Sequence, residues 1–333
     1  MTVMRAVASY QGLPIDDGNS LLDVEVPVPD LRPRDVLVRV RAVSVNPADV
    51  KIRAGLGRSA TPRILGFDAA GVVEAVGPEV TTLAVGDEVW YAGDITRAGS
   101  NAELQAVDER IVSRKPARLG FAEAAALPLT TITAWESLFE HFALSETSTG
   151  RLLVLGGAGG VGSMAVQLAK ELTGVEVLAS AGRPESVAWL RDLGADHVVD
   201  HRNLEATTRA AAPEGVDYIL SPFTRGNIEH YAEILRPFGH ITAIDEPEGL
   251  ELLPLKLKSI SWHWEFMFTR SMFGTADMIE QKRLLERVAA LVDDKRIRTT
   301  VSTTIGDFTA AGIREAHRLV EGGHVTGKVV VAR

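Results

Sequence analysis

Arg151-Leu-Leu-Val-Leu-Gly-Gly-Ala-Gly-Gly-Val-Gly-Ser163 carries the deciding pattern of this chain. The apolar run Leu152 to Leu155 has the length of a buried parallel strand. A glycine-rich turn follows, and Met164, Ala165, Leu168, Ala169 and Leu172 then recur at helical spacing. Inside the turn, Gly157, Gly159 and Gly162 fit G-x-G-x-x-G, with Gly160 and Val161 between the last two. The first glycine permits a tight turn, the second lets a pyrophosphate approach the backbone, and the third lets helix pack on strand. The free amides at the helix N-terminus then face the anion. Strand, turn and helix in this order predict a dinucleotide site. The competing reading, a membrane-spanning helix over 152–169, is disfavoured. Only Ser163 and Gln167 are polar there, but five glycines interrupt the span and no second such segment exists.

About twenty residues further on, an NAD site places Asp or Glu at the tip of the next strand to hold the ribose hydroxyls. Here the strand 175–179 is followed by Ser180, Ala181, Gly182 and Arg183, with no acid. A carboxylate would repel a 2′-phosphate, whereas a hydroxyl and a guanidinium bind it. The expected cofactor is therefore NADP(H), with Ser180 and Arg183 on the phosphate; a solvated loop charge is the plainer reading of Arg183 alone.

The 333 residues carry 46% hydrophobic and 24% charged side chains, the profile of a soluble globular protein of about two domains. A formal charge of −9 argues against nucleic acid or an anionic membrane as partner. Zero cysteines exclude disulfides, thiol nucleophiles and cysteine-ligated zinc. The first ten residues lack the apolar core of a signal peptide, so a cytoplasmic location is the default expectation.

Residues 1 to about 120 read as β-rich, with strands expected at 4–10, 21–26, 36–45, 70–76, 88–91 and 102–107. Val36, Val38 and Val40 alternate with Arg39 and Arg41, which predicts one buried face. From 121 the texture changes. Helical patterns at 121–126, 129–142, 160–172, 185–193 and 226–236 alternate with short strands at 152–155, 175–179, 197–200, 216–220 and 239–244. That alternation predicts an α/β fold with a doubly wound parallel sheet. Helices at 276–293 and 308–321 and a final strand at 327–331 complete the chain.

Several segments together resemble the medium-chain dehydrogenase/reductase superfamily: Ser44-Val-Asn-Pro-Ala-Asp-Val-Lys51, Leu65-Gly-Phe-Asp-Ala-Ala-Gly-Val-Val73, Val85-Gly-Asp-Glu-Val89, Leu127-Pro-Leu-Thr-Thr-Ile-Thr-Ala-Trp135 and Leu193-Gly-Ala-Asp196. Ser100-Asn-Ala-Glu103 and Ser261-Trp-His-Trp-Glu-Phe-Met-Phe268 look like its quinone-oxidoreductase branch, often labelled zinc-type alcohol dehydrogenase-like. The resemblance runs end to end. It implies a GroES-like β-rich catalytic domain over 1–123, a Rossmann NADP(H)-binding domain over 124–273, and a C-terminal segment over 274–333 that returns to the catalytic domain. It also suggests a homodimer built on an edge strand near 258–266.

Zinc-dependent members use Cys, His-Glu and Cys as catalytic ligands; the matching positions here hold Asn46, Phe67-Asp68 and Leu129. Phenylalanine and leucine donate nothing to a metal, and an amide is a poor zinc ligand. No metal is therefore expected. Without a Lewis acid, a localised alkoxide loses its stabiliser. Quinones and α,β-unsaturated carbonyls, which spread the incoming charge, are the acceptors implied.

The resemblance places Asn46 as the donor to the substrate oxygen, with Lys51 as a second donor oriented by Asp49. A helix cap and a surface ion pair are the plainer readings of those residues. It further places Thr133 beside the nicotinamide, and Phe266 and Lys328 in segments that line the same cleft; His201, just past the third strand of the parallel sheet, is expected near the adenosine end of the cofactor. Two other functions stay open: a reductase of enoyl thioesters or other activated alkenes, and a non-catalytic NADPH-binding protein.

Overall fold

The computed structural model describes residues 2–333, which divide into two compact units, 2–129 with 268–333, and 130–267. The first unit begins with β1 (Val3–Ser9), β2 (Leu22–Pro27), β3 (Asp35–Val45), β4 (Arg63–Ile64), β5 (Asp68–Val76), β6 (Glu88–Tyr91), β7 (Leu104–Asp108) and β8 (Val112–Arg114). The second holds β9 (Arg151–Val154), β10 (Glu176–Ser180), β11 (His197–Val199), β12 (Val216–Ser221), β13 (Leu235–Ala243) and β14 (Ser261–Trp264). The chain then returns to the first with β15 (Val301–Ile305) and β16 (Lys328–Ala332).

In the first unit the main sheet runs β15-β16-β3-β5-β6-β8, with β7 also paired to β3, and a small sheet runs β2-β1-β4. Strand β3 organises it. Val36, Val38 and Val40 are fully buried while Arg39 and Arg41 face outward, as the alternation predicts. Each buried valine of this kind contributes about 1.5–3 kcal/mol by leaving water. Its antiparallel partners fix what meets at its far end. Ser44 pairs with Asp68 of β5, and Val45 pairs with Val329 of β16. The end of β3 and the starts of β5 and β16 therefore converge.

In the second unit six strands lie in the order β11-β10-β9-β12-β13-β14, every neighbouring pair parallel. This is the doubly wound arrangement expected, with β9 central and Leu152, Leu153 and Val154 completely buried. Details differ from the sequence reading. The helix expected over 226–236 spans only Ile228–Ile234, and β13 starts at once with Leu235. Pro237 explains this, because it drives the preceding residue out of the helical region. The helix expected over 129–142 is α-helical over Pro128–Trp135 and becomes a π-helix over Glu136–His141. Helix Leu204–Ala211 was not anticipated. Among the described residues no helix is long and apolar enough to cross a membrane.

Candidate active site

The glycine turn lies within the second unit. Strand β9 ends at Val154, and Gly156 turns the chain with φ at +61°, a region that favours glycine. A Cβ on Gly162 would lie 2.5 Å from the Gly156 carbonyl oxygen and 2.6 Å from the Gly157 Cα. One on Gly157 would lie 2.9 Å from Ala179 Cβ, on the neighbouring strand. Both glycines are thus demanded by close approach of helix, turn and sheet. At Gly159 a Cβ would meet one atom within 4 Å, the Gly156 carbonyl oxygen at 3.3 Å, a tight contact but a lesser one than at Gly157 or Gly162. Helix Gly160–Leu172 starts there with no side-chain cap, which leaves its first-turn amides, among them those of Gly160, Val161 and Gly162, for an anion. The turn fits a pyrophosphate.

Beside it lie the tips of β10 and β11. Ser180 is 3% exposed, and its Oγ accepts the Gly156 amide at 3.0 Å, which ties the strand tip to the turn. Arg183 is half-buried, with Nε 3.3 Å from Glu185. It borders a groove of about 450 Å³ that Arg191, Arg202 and Asp200 also line. Asp200 is bound to Arg202 at 2.7 Å, so the groove stays net cationic. His201 leans over Gly182: a Cβ there would come within 2.6 Å of its Cε1. The site residues named from sequence at this end, Ser180, Arg183 and His201, are therefore neighbours.

Within the first unit, the converging ends of β3, β5 and β16 build a buried polar cluster. Asn46 caps helix Pro47–Gly55, and its backbone amide donates to Asp49 Oδ2 at 2.8 Å. Asp49 Oδ1 accepts the Gly66 amide at 3.0 Å, so this carboxylate clamps two loops. The Asn46 side-chain amide donates to Asp68 Oδ2 at 2.9 Å and to the Ser44 carbonyl at 3.3 Å. Its Oδ1 accepts from Lys328 Nζ at 2.5 Å. Asp68 also accepts the Leu129 amide at 2.7 Å. All four side chains are buried: Asn46 and Asp49 at 1% exposure, Asp68 at 0% and Lys328 at 4%.

Burial sets the electrostatics. It pushes Asp49 up to about 7, against the pull of the Asn46 amide, Lys328 and the Gly66 amide. It raises Asp68 as well, against Lys328, Asn46 and the Leu129 amide, and it lowers Lys328, which both carboxylates pull back up. One ammonium acts on two buried carboxylates, and Asp49, whose oxygens both accept backbone amides, is pushed toward neutral pH.

The other residues named from sequence sit as follows. Lys51 is exposed, on helix Pro47–Gly55. Thr133 is buried, and its carbonyl accepts from Ser137 Oγ at 2.7 Å. Phe266 is 42% exposed, just beyond β14. Lys328 joins Asn46 rather than standing apart from it. Nothing local announces that pairing, since 282 residues separate the two.

A zinc ion finds no donor set at these positions. Phe67 is buried and stacks on Phe268 with ring centroids 4.7 Å apart, and Leu129 offers only its backbone amide, already given to Asp68. Asp68 is engaged by three donors. Among the described residues no group of three His, Cys, Asp or Glu side chains is placed to hold a metal.

Two family models match the chain, one almost wholly in the first unit and one that spans parts of both. Residues 32–133 match the model of the alcohol dehydrogenase GroES-like domain, and residues 193–331 that of the zinc-binding dehydrogenases. The chain is 38% identical to a zinc-type alcohol dehydrogenase-like protein of Staphylococcus aureus, over 98% of this chain and 99% of the relative. It is 32% identical to the chloroplastic NADPH-dependent alkenal/one oxidoreductase of Arabidopsis thaliana, over 93% and 75%. Among solved structures, a Rhizobium etli protein provisionally assigned as a zinc-dependent alcohol dehydrogenase is 45% identical with a TM-score of 0.95, covering 100% and 99%. The quinone oxidoreductase from Coxiella burnetii is 26% identical with a TM-score of 0.83, covering 100% of both chains. The chain belongs to the medium-chain dehydrogenase/reductase superfamily, in its quinone-oxidoreductase-like branch.

Proposed function

We propose that this protein is a zinc-independent, NADPH-dependent reductase of quinones and other α,β-unsaturated carbonyls. The observation that carries the proposal is the buried cluster in which hydrogen bonds join Asn46, Asp68 and Lys328, the first two at positions that the resemblance matches to zinc ligands. A hydrogen-bonding site suits an acceptor whose conjugation spreads the incoming charge. The likeness to an alkenal/one oxidoreductase and a quinone oxidoreductase favours the same acceptor class. The bound nicotinamide supplies the hydride.

The chain's own residues then divide the work. The amides of the glycine turn hold the pyrophosphate. The arginine-lined groove at the tips of β10 and β11 takes the 2′-phosphate, with Arg183 as its charged ligand. Asn46 presents its amide to the acceptor oxygen; the long bond to the Ser44 carbonyl, 3.3 Å, is the one an oxygen bearing developing charge displaces. Strand β14 pairs only with β13 among the described residues and exposes Trp264, with Phe266 exposed just beyond it, and a second copy of the chain on that edge would make the homodimer.

The test is NADPH oxidation against a panel: a simple enone, a benzoquinone, a crotonyl thioester, a saturated ketone, and ethanol with NADP⁺. The reading expects enone or quinone to lead. Ethanol oxidation faster than either would refute it, and the thioester in first place would move the acceptor class to activated alkenes.

A further inference from the structure

We propose that Lys328 is a positioning residue of this reductase, its ammonium being the internal cation that gathers Asn46 and Asp68 and fixes which edge of the Asn46 amide is the donor. The inference rests on the reductase reading above.

The strand register alone brings the groups together. Lys328 opens β16, directly after Gly327, whose φ is +70° and whose Cβ would lie 2.3 Å from the Thr300 carbonyl oxygen. A glycine is needed there to turn the chain into the strand. The Lys328 Nζ then reaches Asn46 Oδ1 at 2.5 Å, the Val45 carbonyl at 3.2 Å and Asp68 Oδ2 at 3.3 Å. An ammonium has three hydrogens, and these three acceptors use them all. Lys328 therefore has no donor left for a cofactor or substrate and acts through its neighbours.

What it controls is orientation. An asparagine amide is nearly symmetric in shape, and its neighbours decide which end is oxygen. Here the ammonium claims Oδ1, so Nδ2 must face Asp68 and Ser44. Turned over, the amide would set its NH₂ against the ammonium and its oxygen against the carboxylate. Two charge-assisted hydrogen bonds would become two like-signed contacts. The same ammonium offsets the Asp68 charge, which is buried with no access to water. A divalent ion gathers its ligands in the same sense: one cation, several oxygens, one geometry. The arrangement here reaches that end with a side chain of the protein.

Lys328→Met alone leaves Asp68 an uncompensated buried charge, so the informative variant is the neutral pair Lys328→Met with Asp68→Asn. Its melting temperature, the kcat and KM for the best acceptor, and exchange of the Asn46 side-chain amide in ¹H–¹⁵N spectra are compared with the parent. The inference expects a folded protein, kcat reduced at least tenfold, KM within about twofold, and an Asn46 amide that has lost its protection from exchange. Lys328→Arg keeps the charge; it should hold kcat within about threefold and keep the Asn46 protection. A neutral pair with the parent's kcat and amide protection overturns the inference. So does a folded Lys328→Arg that falls as far as the neutral pair, and this arm decides the matter if the pair does not fold. Absence of turnover in the parent would sink the reductase reading instead, leaving the amide exchange to judge Lys328.

Discussion

Replacing His317 with leucine tests how this fold tolerates a buried base. His317 lies on helix Ala310–Glu321, is 0% exposed, and neither ring nitrogen has a hydrogen-bond partner. Burial, with the nearby Arg53 guanidinium, pushes its pKa down to about 3. In the unfolded chain the imidazole titrates at about 6.5. Between those values the unfolded state takes up a proton that the folded state refuses, so stability is present above about 6.5 and lost as pH falls. At pH 5 the loss is about 1.5 units times 1.36 kcal/mol, or ~2 kcal/mol. That figure depends on the unfolded value alone, provided the folded value lies well below 5. Leucine removes the term and also removes two unsatisfied nitrogens, a gain of about 1–3 kcal/mol that is the same at every pH. Thermal melts of parent and variant at pH 8 and pH 5 separate the two effects. The variant should gain roughly 4–8 °C more at pH 5 than at pH 8, from ~2 kcal/mol acting on a domain of about 200 residues. An equal gain at both pH values would show that His317 takes up its proton in the folded state and would refute the reasoning.

Gly162→Ala should raise the NADPH dissociation constant at least tenfold and lower the melting temperature, because its Cβ meets backbone atoms at 2.5 and 2.6 Å and the turn must shift; fluorescence titration reads the first, and unchanged binding would remove the turn from the cofactor site. Arg183→Ala should erase a preference for NADPH over NADH of about ten- to a hundredfold while leaving NADH kinetics nearly unchanged, the magnitude following from a charge-assisted contact of roughly 1.5–3 kcal/mol. Equal kinetics with both cofactors in the parent would overturn the groove assignment. Exhaustive chelation should leave kcat within experimental error, with substoichiometric zinc by elemental analysis; one tightly bound zinc per chain would contradict the reading of Asn46, Phe67 and Leu129.

What could be read from sequence was local. The glycine turn declares itself because strand, turn and helix are contiguous, and the alternation of Val36, Val38 and Val40 survives intact as the buried face of β3. The losses were of two kinds. Pro237 should have ended the helix read over 226–236, but apolar periodicity ran past it. Helix Leu204–Ala211 is eight residues long, with two adjacent threonines and Leu204 as its one large apolar side chain, too short for a repeat to stand out. The Asn46–Lys328 contact lay beyond any window, since it exists only through the register of β16 on β3 and β3 on β5. Ser180 carries a contact that sequence does not announce: its oxygen accepts the Gly156 amide and ties the strand tip to the turn.

The central claim is hydride delivery to the far end of a conjugated system, and isotope transfer tests it directly. NADPH carrying deuterium at the transferable C4 position should be oxidised with an enone and the product analysed by mass spectrometry and NMR. The account predicts a saturated ketone with deuterium on the β-carbon and none on the carbonyl carbon. An allylic alcohol with deuterium on the carbonyl carbon would contradict it.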